Sequence, residues 1–333
     1  MHTGLNFACI KMPMEKSTIY IDKNFCDVIK ICAAVMIALH HFSQYVCVNH
    51  ISDNLFYSML SSQGGYLGVA VFFFISGYGL MESEQRVHLG CVDFFKRRLA
   101  KVYLPALAVT AIWLSLINFT NILPAMRSTL GGGGNSLIII KILAIHGDGV
   151  LWFIKVLVVW YAAFYLFVIV RQRWKQFATP FLFLLTIVVE LFVIWYFASY
   201  NALSVPMFAL GVYTSLHKEV VDWKVKSPLV VVIILGCLQT LLMHTMCGTA
   251  SGIHTCCNFI FVAAMIYLFS IAEIRMTRVP LIGAISFDLY LVHNKVLMTL
   301  KTMMFPVPLY LFALTTIIAT IIFHLIRTKI FRI

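Results

Sequence analysis

Ten runs of about 17 to 25 mainly apolar residues recur along this chain, at approximately 25–47, 64–82, 102–122, 150–170, 180–198, 201–217, 228–247, 255–272, 281–300 and 307–326. A helix of about 20 residues matches the hydrocarbon thickness of a bilayer. Inside lipid every backbone N–H and C=O must find its partner within the chain, so each run is predicted to be a transmembrane α-helix. With 61% hydrophobic and only 11% charged residues, and a mean hydropathy of +0.93, the chain lies far from the composition of soluble domains. The expected fold class is an all-α polytopic membrane protein, a bundle of about ten transmembrane helices. Residues 1–24 read as a short cytoplasmic segment, 25–326 as one transmembrane domain and 327–333 as a cytoplasmic tail. Neither flank is long enough to build a separate core, so the bundle itself is expected to carry the function.

The formal net charge of +12 raises the question of a nucleic-acid partner, and the distribution of the charge answers it. Lys11, Lys16, Lys23 and Lys30 precede or begin the first run. Arg86, Lys96, Arg97, Arg98 and Lys101 fill the second connection, Arg171, Arg173 and Lys175 the fourth, and Lys218, Lys224 and Lys226 the sixth. Arg275 and Arg278 lie in the eighth, and Arg327, Lys329 and Arg332 in the tail. The odd connections are poor in cations, with Arg127 and Lys141 the main exceptions in the third. By the positive-inside rule both termini are expected in the cytoplasm. The first twenty residues are mixed polar with no small-residue cleavage pattern after the first apolar run, so no cleaved signal peptide is expected.

Several chemistries lose support from the same reading. Nine cysteines are scattered without a C-x-x-C pair or a Cys/His cluster at zinc spacing, so no metal is expected. Cys47, Cys247, Cys256 and Cys257 fall near the outer face, where a disulfide among them is one expectation. A Walker-type phosphate loop and a dinucleotide fingerprint are both missing. The third connection carries "GGGGN" at 131–135, a flexible break before an apolar segment of surface or re-entrant character. Interrupted helices in inverted repeats, a mark of many secondary transporters, are not evident.

The first apolar run holds the most informative residues. In "KICAAVMIALHH", Lys30 and His41 are eleven residues apart, close to three helical turns, so they share one side of the helix about 16 Å apart along its axis. Ionisable groups at membrane depth are costly and by default mark function. The ordinary structural alternatives are a lysine that snorkels to the cytoplasmic interface and a histidine bonded to a neighbouring helix. His40 points about 100° away from His41 and fits a packing or tautomer-setting role, although the two assignments can be exchanged.

Later segments complete a pattern. "GYLGVAVFFFISGYGLMES" at 65–83, "FFKRRLAKVYLP" at 94–105, "LWFIKVLVVWY" at 151–161 and "ISFDLYLVHNKV" at 285–296 follow in order. Together with Lys30, ten intervening residues and His41, they resemble the acyltransferase 3 family of integral-membrane acyltransferases, from about residue 20 to 326. The resemblance implies O-acylation of cell-surface sugars or related acceptors, with acyl-CoA as donor and acetyl as the usual acyl group. It also implies a bacterial cytoplasmic (inner) membrane location. Lys30 and Lys101 stand where the family usually has arginine, and a lysine lacks the planar fork that grips phosphate at two points.

Acyl transfer from a thioester to a hydroxyl needs a base for the hydroxyl proton or a nucleophile to carry the acyl group, and imidazole does either near neutral pH. His41 is the candidate, with His40 its alternate and Asp148 a residue that would orient it, or else a helix N-cap. Lys30, Arg97, Arg98 and Lys101 are candidates for the phosphates of coenzyme A, against the alternative of plain positive-inside charge. The resemblance favours Arg98 and Lys101, which at a spacing of three share a helix face. Ser76, Tyr78, Trp152, Glu190 and His293 are candidate lining residues. Lys155 and Lys295 are candidate partners for Glu190. Ser76 and Tyr78 equally fit hydroxyls bonded to a neighbouring backbone, and Trp152 an interfacial anchor. The competing reading is a transporter or flippase for a lipid-linked or anionic solute, in which Lys30, His41, Glu190 and His293 line a route.

Overall fold

The computed structural model describes residues 21, 23–119, 149–197, 199–217, 258–265 and 280–331. Asp148, Cys247, Cys256, Cys257, the glycine run, the expected run 228–247 and most of 255–272 lie outside these described residues. Among the described residues the structure is all-helical: α1 (Lys23–Val48), α2 (Leu55–Met59), a π-turn (Leu60–Gly64), α3 (Gly65–Arg86), α4 (Cys91–Phe119), α5 (Trp152–Arg173), α6 (Ala178–Tyr196), α7 (Pro206–Leu216), α8 (258–265), α9 (Pro280–Met303) and α10 (Leu309–Phe331). Among the described residues, five segments are long and apolar enough to cross a membrane: Lys23–Val48, Leu55–Arg86, Gly149–Arg173, Lys175–Tyr196 and Leu309–Lys329. The 29-residue α4 and the 24-residue α9 are of comparable length.

α1 shows how sequence becomes packing. Cys26, Ile29, Ala33 and Ile37 are buried at spacings of three and four, one stripe of a helix, while Cys32 and Val35 face outward. That stripe meets α3 and α9, and the large core that results runs on through α5 and α7. α6 and α10 are different. Phe183, Leu184, Ile187, Val188, Leu191 and Ile194 on α6, and Leu314, Ile317, Ile318, Ile321, Ile322 and Leu325 on α10, are all exposed. An apolar face turned out of the bundle is what a lipid-contacting helix presents.

α3 and α7 approach until their backbones touch. A side chain at Gly77 would stand 2.0 Å from the Phe208 carbonyl oxygen, and one at Gly211 would stand 2.1 Å from that of Phe74. Paired glycines of this kind let membrane helices gain dispersion contact that larger residues forbid.

Named contacts give the helix directions. α3 opposes α1, since Gly65 meets His40 while Tyr78 bonds Ile21. α9 runs with α1, since Gly283 meets Asp27 and His293 meets His41. α5 runs with α3, through Phe73 on Phe153 at one end and His88 beside Gln172 at the other. α4 opposes α5, with Phe94 against Tyr165, and α10 opposes α9, with His324 on Asp288.

The helix boundaries fall within a few residues of expectation except at α4. Its basic stretch was expected as a connection before residue 102, but the helix already begins at Cys91. Lysine, arginine, leucine and alanine are all good helix formers, so the backbone helix continues past the point where hydropathy stops.

Candidate functional site

The C-terminal half of α1, along its seam with α9, brings two imidazoles face to face. The rings of His41 and His293 stack with centroids 5.3 Å apart and planes 23° apart. His41 Nδ1 donates to the Gln44 side-chain oxygen at 3.1 Å, one turn further along α1. His293, fully buried, donates from Nδ1 to the Leu289 carbonyl at 3.2 Å. A carbonyl only accepts, so the proton of each ring is placed on Nδ1, and each Nε2 keeps its lone pair. The Nε2 of His293 has no hydrogen-bond partner among the described residues.

His40 is held quite differently. Its Nδ1 donates to the Leu60 carbonyl at 2.7 Å, and the ring sits edge-on to His41 with centroids 4.9 Å apart. On its far side lies Gly65, where a Cβ would come within 2.6 Å of the His40 ring. The π-turn 60–64 and the glycine after it thus form a slot for this one side chain, and π-turns commonly accompany such functional distortions. The exchange between His40 and His41 left open by the sequence resolves into two environments: His40 is walled in against backbone, and His41 faces a second histidine.

Beside the pair, Phe72, Phe73, Phe153 and Tyr290 form a ring cluster across α3, α5 and α9, Phe153 edge to face with Phe73 and Tyr290 and Phe72 tilted against Phe153 and Tyr290. The Tyr290 hydroxyl donates to the Val150 carbonyl at 2.6 Å, which ties the start of α5 to α9 near the histidines. Trp152 packs on Phe73 at 6.3 Å, half-buried. Lys295, buried two residues past His293, holds its ammonium 5.8 Å from the centre of the Trp113 ring.

At the other end of α1, Lys30 Nζ lies 3.2 Å from Asp27 Oδ1. Asp27 is a residue that sequence reasoning passed over. Its carboxylate fills the space left by Gly283 of α9, where a Cβ would stand 2.2 Å from Oδ1. Aspartate three residues before the lysine was a readable signal for a pair on one face. Nearby, the basic stretch splits. Arg98 is half-buried with its guanidinium 5.9 Å from the Phe94 ring, and burial lowers its pKa from the ordinary value. Lys96, Arg97 and Lys101 are exposed. Arg98 and Lys101 therefore differ in surroundings despite their spacing of three, because Arg98 turns toward Tyr161 of α5.

The remaining candidates scatter. The Tyr78 hydroxyl donates to the Ile21 carbonyl at 3.2 Å, the backbone bond foreseen as its alternative, and Ser76 is half-buried on the same helix. Glu190 lies half-buried on α6, which packs against α5 and α7, away from the histidine seam. Lys155 and Lys295 form no ion pair with it among the described residues. Cys47 is a free thiol, and the cysteines named with it lie outside the described residues. No group of three or more metal-ligating side chains occurs among the described residues.

The acyltransferase domain family matches this chain over residues 23–327. No curated protein and no solved structure matches it.

Proposed function

Because the chain belongs to the acyltransferase family that spans its residues 23–327, we propose that this membrane protein moves an acyl group from acyl-CoA to a hydroxyl of a cell-surface polysaccharide or its lipid-linked precursor. Acetyl is the proposed acyl group and the bacterial cytoplasmic membrane the proposed location. The observation that carries this reading is the His41–His293 pair, two imidazoles with their Nδ1 protons engaged and their Nε2 lone pairs kept.

In this reading His41 Nε2 takes the proton of the acceptor hydroxyl as the oxygen attacks the thioester carbonyl. The tetrahedral intermediate collapses, the C–S bond breaks, and the proton passes from His41 to the leaving thiolate. The products are an ester and coenzyme A, with no net proton released. His293 lines the acceptor side, and His40 positions His41 through their edge-on contact. The cations at the other end of the seam, Lys30, Arg97, Arg98 and Lys101, would hold the phosphates of the donor, several charges around one polyanion. Donor and acceptor then enter from opposite faces and meet along α1. Asp148 is the proposed orienting carboxylate for His41, with Ser76, Tyr78 and Trp152 as proposed lining groups, while Glu190 on α6 is set apart from the site.

Ten spans with both termini in the cytoplasm complete the proposal. The helix directions support it: α1, α4 and α9 run one way and α3, α5, α7 and α10 the other, α7 running with α3 from Ser204 on Tyr66 to Ser215 on Gln85, as odd and even spans must.

The test is transfer of label from acetyl-CoA to host polysaccharide by membranes carrying wild type or His41→Ala at equal expression. Loss of transfer with retained coenzyme A binding supports the base role. Full activity in His41→Ala rejects it, and solute flux without consumption of acetyl-CoA by the wild type moves the assignment to a transporter.

A further inference from the structure

Between α9 and α10, on the side of α9 turned away from His41, three ionisable residues are buried together. Asp288 is 0% exposed, Arg327 7% and His324 8%. His324 Nδ1 donates to Asp288 Oδ2 at 2.7 Å, and an Arg327 terminal nitrogen donates to the same oxygen at 3.0 Å. Arg327 Nε stands 2.8 Å from Asp288 Oδ1, a charge contact whose N–H is not aimed at that oxygen. The rest of the buried face of α10 is also polar for a membrane helix, with Thr316, Thr320, His324 and Arg327 at spacings of four, four and three.

Such a network does little for net stability compared with apolar packing, because desolvation offsets the attraction. What it supplies is direction. An apolar seam tolerates a slip of one helix along another, whereas a carboxylate shared by an imidazole and a guanidinium is satisfied in one register only. Asp288 and His293 are five residues apart on α9, about 7.5 Å along the axis and about 140° around it. A rotation of α9 that breaks the first contact therefore turns the second away from α1.

We propose that Asp288, His324 and Arg327 are positioning residues that lock the rotation and depth of α9, and so hold His293 against His41. Its bearing on catalysis rests on the acyl-transfer reading; the lock itself does not. The test uses the full chain in lipid discs carrying His41→Cys and His293→Cys, with bridging of the two thiols by dibromobimane followed by peptide mass spectrometry. The protein with the triad intact is expected to bridge readily. With Asp288→Leu, His324→Leu and Arg327→Leu together, the rate is expected to fall by about tenfold or more, since a slip of one residue turns position 293 by about 100°. Unchanged bridging in a folded triple variant overturns the lock. If the triple variant does not fold, Arg327→Lys keeps the charge and loses the two-point fork; a several-fold slower bridge supports the lock and an unchanged one overturns it. In the chain with both histidines present, the triple variant should lower kcat for acetyl transfer with KM for acetyl-CoA unchanged. An inactive parent chain refutes the acyl-transfer reading and leaves the bridging result standing.

Discussion

α9 has two seams, and they treat polar groups in opposite ways. Toward α1 it presents His293, whose one engaged nitrogen bonds its own helix and whose other nitrogen has no hydrogen-bond partner among the described residues. Toward α10 it presents Asp288, gripped by an imidazole and a guanidinium. Both seams bury ionisable groups where burial is costly. The first keeps unused hydrogen-bonding capacity and the second consumes it. A group with capacity left over is available to a substrate, and a group fully occupied by protein holds shape.

That contrast can be broken by substitution. The largest expected effect is at His41: alanine should cut acyl transfer by about 10²- to 10⁴-fold, the usual worth of a positioned acid–base group, with thermal stability in detergent little changed. Wild-type stability together with wild-type turnover would erase the distinction. Next comes Asp288→Asn, which leaves Arg327 buried without its counter-charge and should destabilise the fold by about 3 to 5 kcal/mol in a reversible unfolding assay. Replacing all three members of the network by leucine should cost far less, because no charge is then stranded.

Smaller effects sharpen the same contrast at the other end of α1. Arg98→Ala should raise KM for acetyl-CoA about tenfold, in line with the loss of one charge-assisted contact, with kcat nearly kept. Lys101→Ala, at an exposed position, should move KM less. Equal effects at the two sites would show that burial of Arg98 has no functional weight. Smallest, His40→Ala removes the bond to the Leu60 carbonyl and should lower stability by about 1 kcal/mol while reducing kcat several-fold through a less constrained His41. A drop as deep as that of His41→Ala would make His40 a reacting group.

How far these features were legible in the sequence follows from the range of the forces involved. The lipid-length runs announced their helices because backbone satisfaction in a membrane is a local requirement. Lys30 and His41 were placed on one side of α1 by helical spacing alone; in the structure His41 meets His293 of α9, and Lys30 pairs with Asp27, whose carboxylate packs against Gly283 of α9. Glu190 drew notice as an intramembrane carboxylate, yet hydropathy cannot distinguish a helix at the edge of the bundle from one at its centre. Asp288, His324 and Arg327 escaped for another reason. Each reads separately, as a polar residue in a motif, a polar residue in an apolar run and a tail cation, and only the antiparallel pairing of α9 with α10 joins them. The Leu60–Gly64 π-turn was equally hidden, since the contact to its Leu60 carbonyl comes from a histidine twenty residues earlier.

The backbone contact between α3 and α7 carries a mechanical consequence. Where Gly77 meets Phe208 and Gly211 meets Phe74, backbone stands against backbone with no side chain to rotate or yield. Two rods pinned at such a crossing move together there. On the acyl-transfer proposal, an acceptor entering this bundle would meet one stiff wall there, and the give would come from joints that side chains form.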